Sequence, residues 1–480
     1  MSLSSTAFFE VRPGAGSATN GGGFVPGSSG TDWSQQNAAQ YALTNGVATT
    51  GNATINTASA SADMVGNIVY VAGGTGAITG AWYQILSQVT GTSITLDRST
   101  GLVTGTGVTL NIGGALDLCA TAEPLLTAGM TLWIKATGTQ TLTNPINLTA
   151  GGDATSGPIT WQGYHTTRGD HDGTRPLITT ATNSKDLIRS TAGAPINYRV
   201  WDNLNFSSTA GTPGNGITGG SGGGGINFST ISHCKISGCN AGIDGDNSAY
   251  FAFGNLNIVN VEVTGCADAI VNTSTLKVSG CCIHGNSGYG IKLPSLASTV
   301  LECIVRDTVI YANANGIYSL AAVAIANNQG ALLDIDHCAI VGNTNDGIQN
   351  AAANGRLSVL SLQNSILYGN GGFGVNITNA AAMIVVNRNN AYGSNASGNR
   401  NNLAAGAGDV TLSADPFTAK SSNDFSLNST AGGGAACKGA GFPGSIPGLV
   451  TAGSADIGAL QHADPASAAT ILICSPRKVR

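Results

Sequence analysis

A short motif returns six times along the chain and limits the fold more than any other feature. It reads HCKISGCNAGI from His233, NVEVTGCADAI from Asn260 and GCCIHGNSGYGI from Gly280. It continues as DTVIYANANGI from Asp307, HCAIVGNTNDGI from His337 and NSILYGNGGFGV from Asn364. The turn residues Gly238, Gly265, Gly285, Ala312, Gly342 and Gly369 recur at intervals of 27, 20, 27, 30 and 27 residues. A strand-like unit with a period of about 20–30 residues marks a solenoid.

The columns define which solenoid. Ile236, Val263, Ile283, Ile310, Ile340 and Leu367 align, with Cys234, Val261, Cys281, Thr308, Cys338 and Ser365 two positions earlier. A period of two puts both columns on one inward face. Ile231, Ile258, Val278, Val305, Ile335 and Leu362 form an inward column before the bend. Ile243, Ile270, Ile291, Ile317, Ile348 and Val375 form another after the turn. Three short strands per coil, each burying one or two aliphatics, make an all-β parallel β-helix.

After the turn residue stand Cys239, Cys266, Asn286, Asn313, Asn343 and Asn370. Asn bonds neighbouring main chain, so Asn286, Asn313, Asn343 and Asn370 are expected to stack as a structural ladder. Cys239 and Cys266 replace it with small apolar groups, and a bridge between them is geometrically conceivable at one coil spacing. Without a secretion signal the ten cysteines are expected to be thiols.

Gly (69 of 480 residues), sparse charge (9%) and few aromatics (6%) favour strands and tight turns over helical bundles. The net charge of −5 predicts no nucleic-acid partner. The N-terminus lacks the pattern of a signal peptide, and no apolar run is long enough for a membrane span. Synthesis and first folding in a cytoplasm are expected.

Three regions follow. Residues 1–115 are Gly/Ser-rich, with RPGAGSATNGGGFVPGSSGTDWSQQNAAQYAL irregular, and then read as hairpin strands. Residues 116–415 form the β-helix, opened by a capping helix in GALDLCATAEPLLTAG that protects the sheet edge. Residues 416–480 lose the repeat and form a C-terminal cap and tail.

The entry TLWIKATG, the stretch GPITWQGYHT, the Asn coils and the ending NDFSLN…DIGALQ resemble right-handed, pectate-lyase-like β-helix proteins over residues 116–460. Together with the Gly-rich β N-terminal segment, the chain resembles tailed-bacteriophage virion proteins: tailspikes, fibres or head-decorating proteins. The resemblance implies a structural protein in the virion, made in the host cytoplasm. Its N-terminal segment would dock on capsid or tail proteins, and its rod would form a homotrimer that binds host surface polysaccharide. The alternatives are a polysaccharide-degrading enzyme and, less favoured, a bacterial surface adhesin. One scaffold carries all of these functions.

Stacking the coils sets Arg306 against Asp336 and Asp307 against His337, with Asp334 on the adjacent outward position. As an active site this patch supplies Asp307 and Asp336 as acid and base beside His337; as ordinary surface it is a cross-coil salt bridge. For glycan binding the candidates are Arg306, Asp334, Tyr311 and Tyr368, and Tyr289 and Phe373 are further outward aromatics. Lys235 and Glu262 are expected to pair. Asp244 and Asp246 in GIDGDN lack the other ligands of a calcium loop, and RGDHDG (Arg168–Gly173) reads as a Gly-rich loop. No metal and no cofactor are expected.

Overall fold

The computed structural model describes residues 3–101, 104–190, 196–219, 225–245, 253–271, 273, 275–293, 301–319, 331–351, 358–378, 383–442 and 455–462. Asp246 and the basic C-terminal tail lie outside them. The fold is a parallel β-solenoid of about eight turns. The chain divides into two compact units. One comprises Met1–Leu142, Ile146–Thr179 and Ile196–Asn205; the other comprises Thr143–Pro145, Thr180–Pro195 and Phe206–Arg480.

In the second unit three parallel sheets stack coil on coil. The first runs from Ile226–Ser232 to Met383–Arg388, the second from Lys235–Ser237 to Val410–Thr411, and the third from Ile188–Ser190 to Gly398–Asn401. The register follows the repeat, with Ile236 facing Val263, Ile258 facing Val278 and Ile291 facing Ile317. The inward aliphatics Ile236, Val263, Ile283, Ile310, Ile340 and Leu367 are all fully buried. Among the described residues, two corners recur from coil to coil. The bend residues His233, Asn260, Asp307, His337 and Asn364 have φ between 48° and 54°, and the turn residues Gly238, Ala312 and Gly342 have φ of 68°, 53° and 60°. Left-handed backbone at both corners explains why Gly and Asn dominate there.

The Asn column is a hydrogen-bonded ladder. Each Nδ2 donates to the Oδ1 of the next coil, from Asn286 to Asn313 (2.8 Å), Asn343 (3.2 Å), Asn370 (2.9 Å) and Asn395 (2.9 Å). The Cys266 N–H donates to Asn286 Oδ1 at 2.9 Å, which joins the cysteine rungs to the ladder. Cys239 and Cys266 are thiols, which donate to the Ser237 and Thr264 carbonyls at 3.5 and 3.6 Å. Cys282 is disulfide-bonded, which corrects the all-thiol expectation at that position.

The C-terminal segment, expected as a cap, covers the side of the second sheet. The outward positions there change character along the rod. Lys235 and Glu262 give way in register to Cys282, Val309, Ala339, Ile366 and Ala391. Leu412, Phe417, Phe425, Leu427, Cys437 and Ile457 pack on this apolar stripe as a second core outside the solenoid. The hairpin Phe417–Ala419 with Asp424–Leu427 supplies its aromatics.

In the first unit, Tyr41–Ala48, Thr54–Asn56, Ile68–Gly73, Ile78–Val89, Ser93–Leu96 and Gly105–Ile112 close into an antiparallel barrel. Its core holds Ile55, Met64, Val69, Ile85, Ile94 and Leu110. The strand Phe8–Val11 adds in parallel to Thr131–Lys135, which pairs in turn with Ile159–Tyr164. It completes the hydrogen bonds of a sheet edge, which a helix cannot do. The expected capping helix shrinks to Cys119–Ala122 and a 3-10 turn, Glu123–Leu125. Pro124 lacks the N–H needed to continue it, and Glu123 turns inward to a bidentate pair with Arg199.

Candidate functional site

The strands Leu301–Arg306 and Ala331–Asp336 lie side by side, with Arg306 opposite Asp336 and Ile304 opposite Asp334. This register gathers Arg306, Asp307, Asp334, Asp336 and His337 at one corner of two successive coils. Their partners divide the patch in two. Arg306 reaches diagonally to Asp334, with Nη1 3.3 Å from Oδ1 and a closer contact between Nη2 and Oδ2. Asp336 Oδ1 lies 2.9 Å from His337 Nδ1 and accepts the Asn364 amide at 2.8 Å. The Asp307 N–H donates to the Asp336 carbonyl at 3.3 Å. Asn364 was not among the sequence candidates, although the repeat places it one coil beyond His337 in the same bend column.

The environments push the two bend carboxyls apart. Asp307 is raised above the ordinary carboxylate range by desolvation and by the charge of Asp336, against the opposing pull of His337 and Arg306. Desolvation also works against the Asp336 carboxylate. The His337 hydrogen bond and charge, the Asn364 amide and Arg306 outweigh it and hold Asp336 below the ordinary range. Neighbouring carboxyls shifted in opposite directions are suited to separate acid and base roles.

Tyr311 and Tyr368 are not the exposed glycan platforms expected from their outward positions. Each is only 8% exposed. The Tyr311 ring packs 4.7 Å from Phe425, and Tyr368 packs 6.5 Å from Phe417. The physical reason is the apolar stripe around them, which draws the C-terminal segment over both rings.

Lys235 pairs with Glu262 at 2.9 Å, and His284, in the next coil, joins them with Nε2 3.3 Å from Glu262. His284 also stacks on Tyr311 at 4.7 Å. In the first unit, the RGDHDG loop is tied to its surroundings. Arg168 pairs with Glu10 and Asp32 at 2.7 and 3.0 Å and lies over Phe8, while Asp170 accepts the N–H groups of His165, Thr166 and Thr167.

No protein-family model and no curated protein matches the chain. Among solved structures it is similar to pectate lyase Pel9A, with a TM-score of 0.51 at 15% identity, over 74% of this chain and 92% of that one. It is also similar to the A-module of the mannuronan C-5 epimerase AlgE4 of Azotobacter vinelandii (TM-score 0.34, 14% identity, 60% of this chain and 73% of that one). A third is tailspike protein gp49 of Pseudomonas phage LKA1 (TM-score 0.22, 12% identity, 78% of this chain and 64% of that one). The first likeness establishes the pectate-lyase-like parallel β-helix fold and nothing finer. The other two carry no further argument.

Proposed function

We propose that the chain is a structural display protein of a tailed-bacteriophage particle, with the β-helix presented as a self-associated, trimeric rod that recognises surface glycans. Residues 1–115 attach to capsid or tail proteins in this reading. The observation that carries it is a second apolar stripe, on the outside of the first sheet. Leu332, Val359 and Ile384 align as an outward column on three successive strands, with Val386 beside Ile384 on the last of them. Ile384 is 47% and Val386 43% exposed. The comparable stripe on the second sheet is covered by the chain's own C-terminal segment. A second copy is the natural cover for this one.

The opposed shifts of Asp307 and Asp336 favour a second reading, a polysaccharide hydrolase on the same rod. Asp307, the more readily protonated of the two, would serve as the acid, and Asp336 would act as the carboxylate base or nucleophile. Incubating the purified chain with bacterial O-chain and capsular polysaccharides separates the two. Display predicts retention of glycan with no shortening and no new reducing ends. New ends that fall about 10²–10⁴-fold in Asp307→Asn would instead establish the hydrolase.

A further inference from the structure

The third sheet presents an outward group of polar side chains. Tyr289 and Lys292 lie on the strand Tyr289–Leu293, Asn315 and Tyr318 on Asn315–Ser319, and Gln349 on Ile348–Asn350. Lys292, Tyr318 and Gln349 stand in register on three adjacent coils, as do Tyr289 and Asn315 on two. The span from Lys292 to Gln349 is about 10 Å at the usual strand spacing. Ile291, Ile317 and Ile348 point the other way and are fully buried, which fixes the outward orientation of the register column.

The two tyrosine rings lie 4.9 Å apart, inclined at 36°, and Lys292 Nζ sits 4.8 Å from the Tyr289 ring centre. All five side chains are part-exposed. The nearby carboxylates are committed elsewhere. Asp268 accepts the Tyr289 N–H at 2.8 Å, while Asp346 accepts the Phe373 N–H and the Asn376 amide, each at 2.7 Å. Among the described residues Lys292 has no carboxylate partner.

We propose that Tyr289, Lys292, Asn315, Tyr318 and Gln349 form a subsite for an anionic polysaccharide. A sugar ring stacks on the paired phenols, Lys292 pairs with the anionic substituent, and the two amides bond ring hydroxyls. Aromatic faces with a polar tip suit such amphipathic rings. The charge selects acidic sugars over neutral ones. This subsite rests on the glycan-recognition part of the display reading and lies on a different sheet from the Asp307 patch.

The test is calorimetric titration of the full chain with alginate (carboxylate), dextran sulfate (sulfate) and neutral dextran. The expected result is polyanion binding that weakens about tenfold in Tyr318→Ala. In Lys292→Gln it should weaken and lose part of its salt dependence. Unchanged unfolding midpoints show that both variants fold. The stronger of the two polyanions identifies the anionic group. Polyanion binding indifferent to both substitutions overturns the subsite but leaves glycan recognition standing. Equal binding of neutral dextran overturns the charge assignment, and no binding of either polyanion overturns the proposal itself.

Discussion

Phe425→Ala is expected to destabilise the second unit by about 3–5 kcal/mol, the usual cost of deleting a buried aromatic. Phe425 is 2% exposed, and its ring lies 4.7 Å from Tyr311 and 5.2 Å from Phe417. It holds the C-terminal segment on Val309, Val341 and Ile366, each at most 1% exposed. Loosening that segment opens the stripe to water, so the variant should also bind a hydrophobic dye below its unfolding transition. Denaturant unfolding followed by fluorescence measures the loss. A change below about 1 kcal/mol would show that the segment is only loosely attached and that the outer core contributes little.

The second large effect is expected in the first unit. Arg199 is 0% and Glu123 1% exposed, and two contacts join the guanidinium to the carboxylate, one of them 3.2 Å between Nη1 and Oε2. Glu123→Ala removes one partner and leaves a buried cation, which costs about 3–5 kcal/mol. It also deprives the Thr149 N–H of its acceptor at 3.1 Å. The double variant Glu123→Leu/Arg199→Met should regain most of the loss, because a buried pair exchanged for apolar side chains of similar volume is often neutral. If the double variant is as unstable as Glu123→Ala, desolvated charge is not the cause, and the Thr149 contact or local packing is.

The inner architecture was legible because stacking needs only a repeat. Each column of Ile, Val, Leu and Cys could be aligned from the sequence, and the same alignment brought Arg306, Asp307, Asp334, Asp336 and His337 together. Individual partners were less legible. Arg306 faces Asp336 in the register but pairs with Asp334, a choice made by side-chain reach, and Asn364 enters from a further coil. The outer surface was misread where strands were considered one at a time. Outward positions on the second sheet pass from Lys235 and Glu262 to Val309, Ala339 and Ile366. An aliphatic outward column is a sign of cover, and it would have placed Tyr311 and Tyr368 in the interior. The helical spacing around Cys119 was real, but Pro124 stops the helix and the Glu123 pair with Arg199 turns the chain inward.

The same logic makes the outward aliphatics Leu332, Val359, Ile384 and Val386 on the first sheet the surface that the display reading assigns to a second copy. Light scattering of the purified chain under reducing conditions tests it most directly. The expected result is a stable species of three times the 47.9 kDa chain mass, reduced to single chains by Ile384→Asp/Val386→Asp. A wild-type chain that stays at 47.9 kDa at all accessible concentrations would contradict it.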